Sequence, residues 1–480
     1  MFSTETKNSS VPRVGVREGT AEESCLERVN QLENLAEVCE KVPNATATAT
    51  PSLSEPHLFD MTSDEFCERF LLDPKYGTAH DYFAIEDLPG WWSWLTNLPS
   101  WQKIWKDQTA FLQALQEIEV PESLPALSDK QALKAVTSTF HLINMYIFQG
   151  MGTGAEASIN LPQSVPKALA AAHIYACNKL GLGKYSLGFS HLLAAWKLRD
   201  ATKSCYDVEN IDLHISFTST PGETIFCCTS LALSFCLQKI NMILFKVSSD
   251  IRKRRLEHIA SDLQQASVLL QEFIPQMSLM YDGLDEEFYV KEYRHYLMGF
   301  NNAKLFPEGV LFEGTGLPRV KSDGASGGND ASVQIFERFL GISFGGNHGH
   351  LQQDLSFGFP KKHLDCVRSL EQSHVIRNFL VEDPSATEQM KESYDQLVEI
   401  FAVFFDRHFG YVRHFIANPL KLTIPEVYGT GGINGVDLQT KSGLIRNFKV
   451  RGSNVIVGTK TQQGSEVLPS RPRGCPFGFS

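Results

Sequence analysis

Two histidines, His408 and His414, stand six residues apart in the run FFDRHFGYVRHFI. On a helix that spacing sets them on well-separated faces, so shared ligation of one metal ion is not expected. His348 and His350 lie in GISFGGNHGH, a glycine-rich loop able to contact a metal or an anion, although a plain loop role asks for less. His363 is better placed. It follows Pro360 by three residues and falls in the first turn of KKHLDCVRSLEQ, where a helix holds an imidazole rigidly. No HExxH is present, nor a 2-His-1-carboxylate cluster that spacing would reveal. A lone imidazole can hold iron only when a haem macrocycle supplies four nitrogens, and the many Phe side chains would suit such a flat apolar plate. An ordinary helix-start histidine is the plainer reading of the same residue.

Arg294 sits among aromatics in FYVKEYRHYLMGF. Such an arginine either snorkels to solvent or clamps a ligand carboxylate, which its planar fork matches. The run SDGASGGNDAS (322–332) precedes a helical pattern and could offer amides to a polar ligand group or a haem propionate. YGTGG, from Tyr428 to Gly432, could close over a pocket. By spacing alone both are loops first. Trp91, Trp92, Trp94, Trp101 and Trp105 are five of the six tryptophans, and core packing explains them more simply than a ligand cage. GMGTG lacks the GK[ST] ending of a phosphate loop and follows a helical pattern, so nucleotide binding is not expected.

These residues belong to a chain of 480 with 42% apolar residues and a formal charge of -11. That composition fills a large core and excludes collagen-like, coiled-coil or wholly disordered chains. The acidic balance disfavours nucleic acid as a partner. Ten scattered cysteines without a CxxC pair suggest reduced thiols in a cytoplasmic protein. The opening MFSTETKNSSVPRVG shows no signal-peptide pattern. The most apolar run, IFCCTSLALSFCLQKINMILF, is broken by Gln238, Lys239 and Asn241, so no membrane span is expected.

Long helical patterns dominate, with no strand–helix alternation, so the fold class is mainly α. Residues 1–59 read as a flexible leader and 60–160 as a small, mainly helical N-terminal domain. Residues 161–440 read as a large helical domain, and 441–480 as a polar tail.

Taken in order, FYVKEYRHYLMGF, VLFEG, SGGNDASVQIFERFLGI, FPKKHLDCVRSLE and GTGG resemble the indoleamine 2,3-dioxygenase family, in particular a divergent fungal-type member. The resemblance covers roughly Asp60 to Leu438. It implies an all-helical domain holding haem b beneath a smaller one, in a protein expected to be monomeric. It implies His363 as the proximal iron ligand and Arg294 as the anchor of the substrate carboxylate. Ser326 would lie near a haem propionate and the substrate ammonium, Thr430 in a loop folding over the substrate, and His173 and Cys177 on the distal side. The implied reaction inserts both atoms of O2 across the indole C2=C3 bond of L-tryptophan, giving N-formyl-L-kynurenine. Leu364 replaces the usual arginine after the family's histidine, and Tyr289 and Val290 replace an aromatic pair before Arg294. A modified indole, or a haem-binding paralogue with little activity, is the alternative these departures suggest.

Overall fold

The structure is a computed structural model describing residues 57–105, 107–149, 161–182, 195–327, 330–344, 358–371, 373–430 and 432–451. It is mainly α-helical, as the periodicity requires. The principal helices are α1 (Ser63–Arg69), α2 (Leu98–Ile104), α3 (Gln108–Gln116), α4 (Asp129–Ile147), α5 (Lys167–Leu180) and α6 (Pro221–Arg252). They continue with α7 (Ile259–Phe273), α8 (Ala331–Phe339), α9 (Lys361–Glu371), α10 (Val375–Glu382), α11 (Glu388–Val412) and α12 (Gly435–Arg446). Four short strands make two minimal ladders. Ser164–Val165 runs parallel to Leu311–Phe312, and Trp196–Leu198 antiparallel to Ile211–Leu213.

Local sequence explains where the helices start. Ser128 and Gln131 form a capping box at α4, and Thr387 caps α11 through the Met390 N–H. α4 packs along α5, and α6 packs on α7, which in turn supports α11. Helix α6 is the one described helix with the length and apolarity of a membrane span, and most of that stretch is buried against its neighbours. It is a core helix. The tryptophans pack as the plainer reading holds: Trp92 is fully buried with its indole N–H on the Pro125 carbonyl, and Trp101 donates to the Trp94 carbonyl.

Two local features differ from the sequence reading. FYVKEYRHYLMGF is expected to be one short helix, but its backbone widens into a π-turn over Tyr289–Tyr293 and tightens into a 3-10 turn over Arg294–Leu297. The expected polar tail from Lys441 continues as helix to Arg446. Ion pairs hold it: Arg446 lies 3.0 Å from Glu399 and 2.7 Å from Asp406, and Lys449 2.6 Å from Glu399. The leader up to residue 56, the tail from 452, GMGTG, and His348 and His350 lie outside the described residues.

Candidate functional site

Helix α6 starts at Thr220, whose hydroxyl accepts the Glu223 N–H, with Pro221 in the first turn. The Glu223 carboxylate turns back to accept the N–H groups of Phe217 at 2.7 Å and Thr218 at 2.6 Å, fixing the helix start. Phe226, Thr229, Ser230 and Leu233 then share one face at spacings of three and four, and all line a cavity. Helix α11 supplies another wall through Phe404, Phe405, His408, Tyr411 and Val412. The two helices both pack on α7 but have little direct contact with one another, and the cavity occupies the space between. Its volume is about 230 Å³, and part of it is open to solvent.

His408 is the histidine this cavity receives among the described residues. Its ring lies parallel to Phe404 and edge-on to Phe405, each centroid 6.2 Å away. Nδ1 is sealed from solvent without a hydrogen-bond partner, and no described residue bonds Nε2, the ring nitrogen that stays accessible. Burial, aided by the Lys441 charge, pushes the imidazole down to about 4. At neutral pH it is an uncharged donor of a nitrogen lone pair. No group of three His, Cys, Asp or Glu side chains among the described residues could cage a metal. A single accessible imidazole in a wide apolar cavity fits an iron whose other ligands come with a macrocycle.

Lys441, on α12, reaches the same cavity. Its ammonium lies 2.9 Å from the buried Glu337 carboxylate and 4.2 Å from the centre of the Phe405 ring.

Arg294 lines the cavity at the junction of the π-turn and the 3-10 turn. It is 6% exposed, and its Nη2 donates to the Tyr428 carbonyl at 2.7 Å. A guanidinium's planar fork is able to pair with a carboxylate through two parallel hydrogen bonds. Two loops meet beside it. The Thr430 hydroxyl donates to the Ala325 carbonyl, and the Gly324 N–H donates to the Thr430 carbonyl at 2.9 Å, so the 428–430 segment is clipped over the loop bearing Ser326. That loop lies directly on the segment leaving Arg294. A Cβ at Gly324 would fall 2.0 Å from the Leu297 carbonyl oxygen, and one at Gly299 2.1 Å from that of Ser322. Ser326 and Thr430 both line the cavity.

The fold therefore brings Arg294, Ser326 and Thr430 together and leaves three expected residues elsewhere. His363 is 1% exposed and does not line the cavity; its Nε2 bonds the Leu71 carbonyl at 2.8 Å, which also takes Nε2 of His80 at 2.9 Å. Both ring N–H groups are thus spent on holding a residue at positive φ, Leu71 at 56°. His173 bonds the Thr139 hydroxyl through Nδ1 at 2.9 Å and meets the Cys177 thiol at 3.4 Å, and neither lines the cavity. His414 pairs with Glu286 at 2.9 Å. The residues missed in the sequence are His408 and the α6 face from Phe226 to Leu233. The available signal was an apolar stripe at helical spacing interrupted by one histidine, Phe404, Phe405, His408, Tyr411, Val412.

Comparison with known proteins now bears on this geometry. A family model described as indoleamine 2,3-dioxygenase matches residues 66–431. Indoleamine 2,3-dioxygenase 1 of Rattus norvegicus is 25% identical over 260 residues, covering 54% of this chain and 63% of the rat protein. Indoleamine 2,3-dioxygenase 2 of Mus musculus is 22% identical over 348 residues, 66% of this chain and 84% of its own. The human indoleamine 2,3-dioxygenase 2 is 20% identical over 318 residues, 62% and 77%. The match to the rat protein thus spans slightly less than two thirds of that relative.

Proposed function

The chain belongs to the indoleamine 2,3-dioxygenase family, and from that premise we propose that it is a haem-dependent dioxygenase. Its reaction would add both atoms of O2 across the indole C2=C3 bond of L-tryptophan or a related indole, giving N-formyl-L-kynurenine. The observation that carries this reading is one cavity holding both a neutral, unpartnered imidazole, His408, and a buried guanidinium, Arg294. An iron porphyrin and an amino acid need those two groups.

In this reading Nε2 of His408 holds the iron of haem b, the role the resemblance implies for His363. Haem, when bound, supplies the O2 chemistry that no side chain here can. The chain's own residues bind and orient. Arg294 takes the substrate carboxylate in a bidentate pair, with the Tyr428 carbonyl holding the guanidinium plane. Thr430 keeps its loop closed over the substrate through Ala325, and Ser326 offers its hydroxyl to the ammonium or a propionate. Phe226, Ser230 and Leu233 on α6 would take the distal role expected of His173 and Cys177, with the apolar bulk of Phe226 and Leu233 excluding water. Asp330, the cavity's carboxylate, is occupied by the Thr78 hydroxyl at 2.6 Å and the Ser332 N–H at 2.9 Å, so no side-chain base is assigned. Catalysis by these residues is positioning.

A second reading, an indole carrying a polar ring substituent, draws on Tyr289. Its phenol lines the cavity one helical turn before Arg294. A cytoplasmic site of action fits the seven described cysteines, all buried free thiols.

The test is direct. The haem-loaded full-length chain is reduced without oxygen and given an indole panel with O2, and products are weighed. A gain of two oxygen atoms on L-tryptophan or a substituted tryptophan supports the proposal. A gain of one, or no product from a chain that holds haem, overturns the dioxygenase assignment.

A further inference from the structure

Besides Arg294, Lys441 is the cation lining the cavity among the described residues, and it stands on the side of His408. Its side chain is 12% exposed and its partner Glu337 1%. Burying such a pair costs several kcal/mol per ion in desolvation, so a position like this is a poor route to stability alone. What the pair does have is proximity to the imidazole through one aromatic ring. The ammonium is 4.2 Å from the Phe405 centroid, and that centroid is 6.2 Å from His408, so charge and imidazole are at most about 10 Å apart. Phe344 flanks the ammonium at 5.5 Å, and Phe404 lies against the imidazole. With aromatic carbon between them, the charge is poorly screened.

We infer that the Lys441–Glu337 pair sets the reduction potential of an iron held by His408, Lys441 favouring the ferrous state and Glu337 opposing it. This rests on the haem reading proposed above. A cation near the axial imidazole withholds electron density from the iron and repels the extra positive charge of the ferric form, whereas a carboxylate does the reverse. Because the two charges sit at different depths, they do not cancel at the imidazole.

The experiment is spectroelectrochemical titration of the haem-loaded full-length chain and three variants. Lys441→Met is expected to raise the ferric/ferrous ratio at a fixed potential about tenfold, equal to a downward shift of about 59 mV for a one-electron couple. Glu337→Gln is expected to lower that ratio by a similar factor. The neutral double variant should fall between the two single variants. Should Lys441→Met fail to fold, Glu337→Gln must still give a lower ratio than the double variant. Variants that retain haem but whose ratios stay within twofold of the wild type, or move in the same direction, overturn the inference alone. A wild type without a Soret band overturns the haem reading and this inference with it.

Discussion

His363 on α9 and His408 on α11 share a residue type, a helical setting and an imidazole that burial pushes down to about 4. They differ in what their nitrogens meet. Nε2 of His363 spends its hydrogen on the Leu71 carbonyl, at the end of a segment 292 residues away in sequence. His408 meets two phenylalanine rings and an open cavity, with Nδ1 orphaned. The nitrogen offered to iron in the proposed reading is Nε2, and in His363 that atom is already bonded. Burial and a lowered pKa do not separate a structural histidine from a ligating one. The partner inventory does.

The largest expected effect breaks the comparison outright. His408→Ala should abolish the Soret band of the reconstituted chain, while His363→Ala should keep it and lose about 2–4 kcal/mol of stability from the vacated core site and the weakened hold on Leu71. Haem stoichiometry and denaturant midpoints, taken on both variants, read the two outcomes. Haem lost only from His363→Ala would reverse the assignment.

Next in size is Arg294→Ala. Removing a charge-assisted pair worth about 1.5–3 kcal/mol should raise KM roughly 10–100-fold with haem content unchanged. A variant with unaltered KM would separate Arg294 from the substrate.

The smallest effect sharpens the structural side. An imidazole held near 4 in the fold and near 6.5 when unfolded binds fewer protons in the native state between those values. Its contribution to stability is therefore complete above pH 6.5 and is lost as pH falls towards 4, by up to about 1.4 kcal/mol per pH unit. His363→Gln keeps a donor for Leu71 without the titration, so its stability should decline less steeply through that window. Parallel curves in chemical denaturation would show that His363 does not contribute.

Much of the fold is legible in the sequence because its signals are local. α4, α6, α7 and α11 show apolar side chains at helical spacing, and Pro221 and Thr387 mark their starts. Arg294, Ser326 and Thr430 are legible through short motifs, and the fold gathers them in one cavity. What is not legible is long-range. Nothing near position 363 announces that the Leu71 carbonyl will reach it. Counting His408 against His414 asks whether they share an ion, when the useful question is which of them faces a gap between α6 and α11. α12 is hidden for another reason: it is held past Lys441 by ion pairs to α11, which leave no periodic apolar trace.

In the proposed reading His408 is the side chain that holds iron in this cavity. Cavity rescue tests it most directly: His408→Gly is mixed with haem, and the Soret and visible bands are followed as imidazole is added. Little specific haem binding is expected without imidazole, and a six- or five-coordinate imidazole-ligated spectrum with it, as free imidazole fills the vacated space. A glycine variant that binds haem like the wild type, with bands indifferent to imidazole, would contradict it.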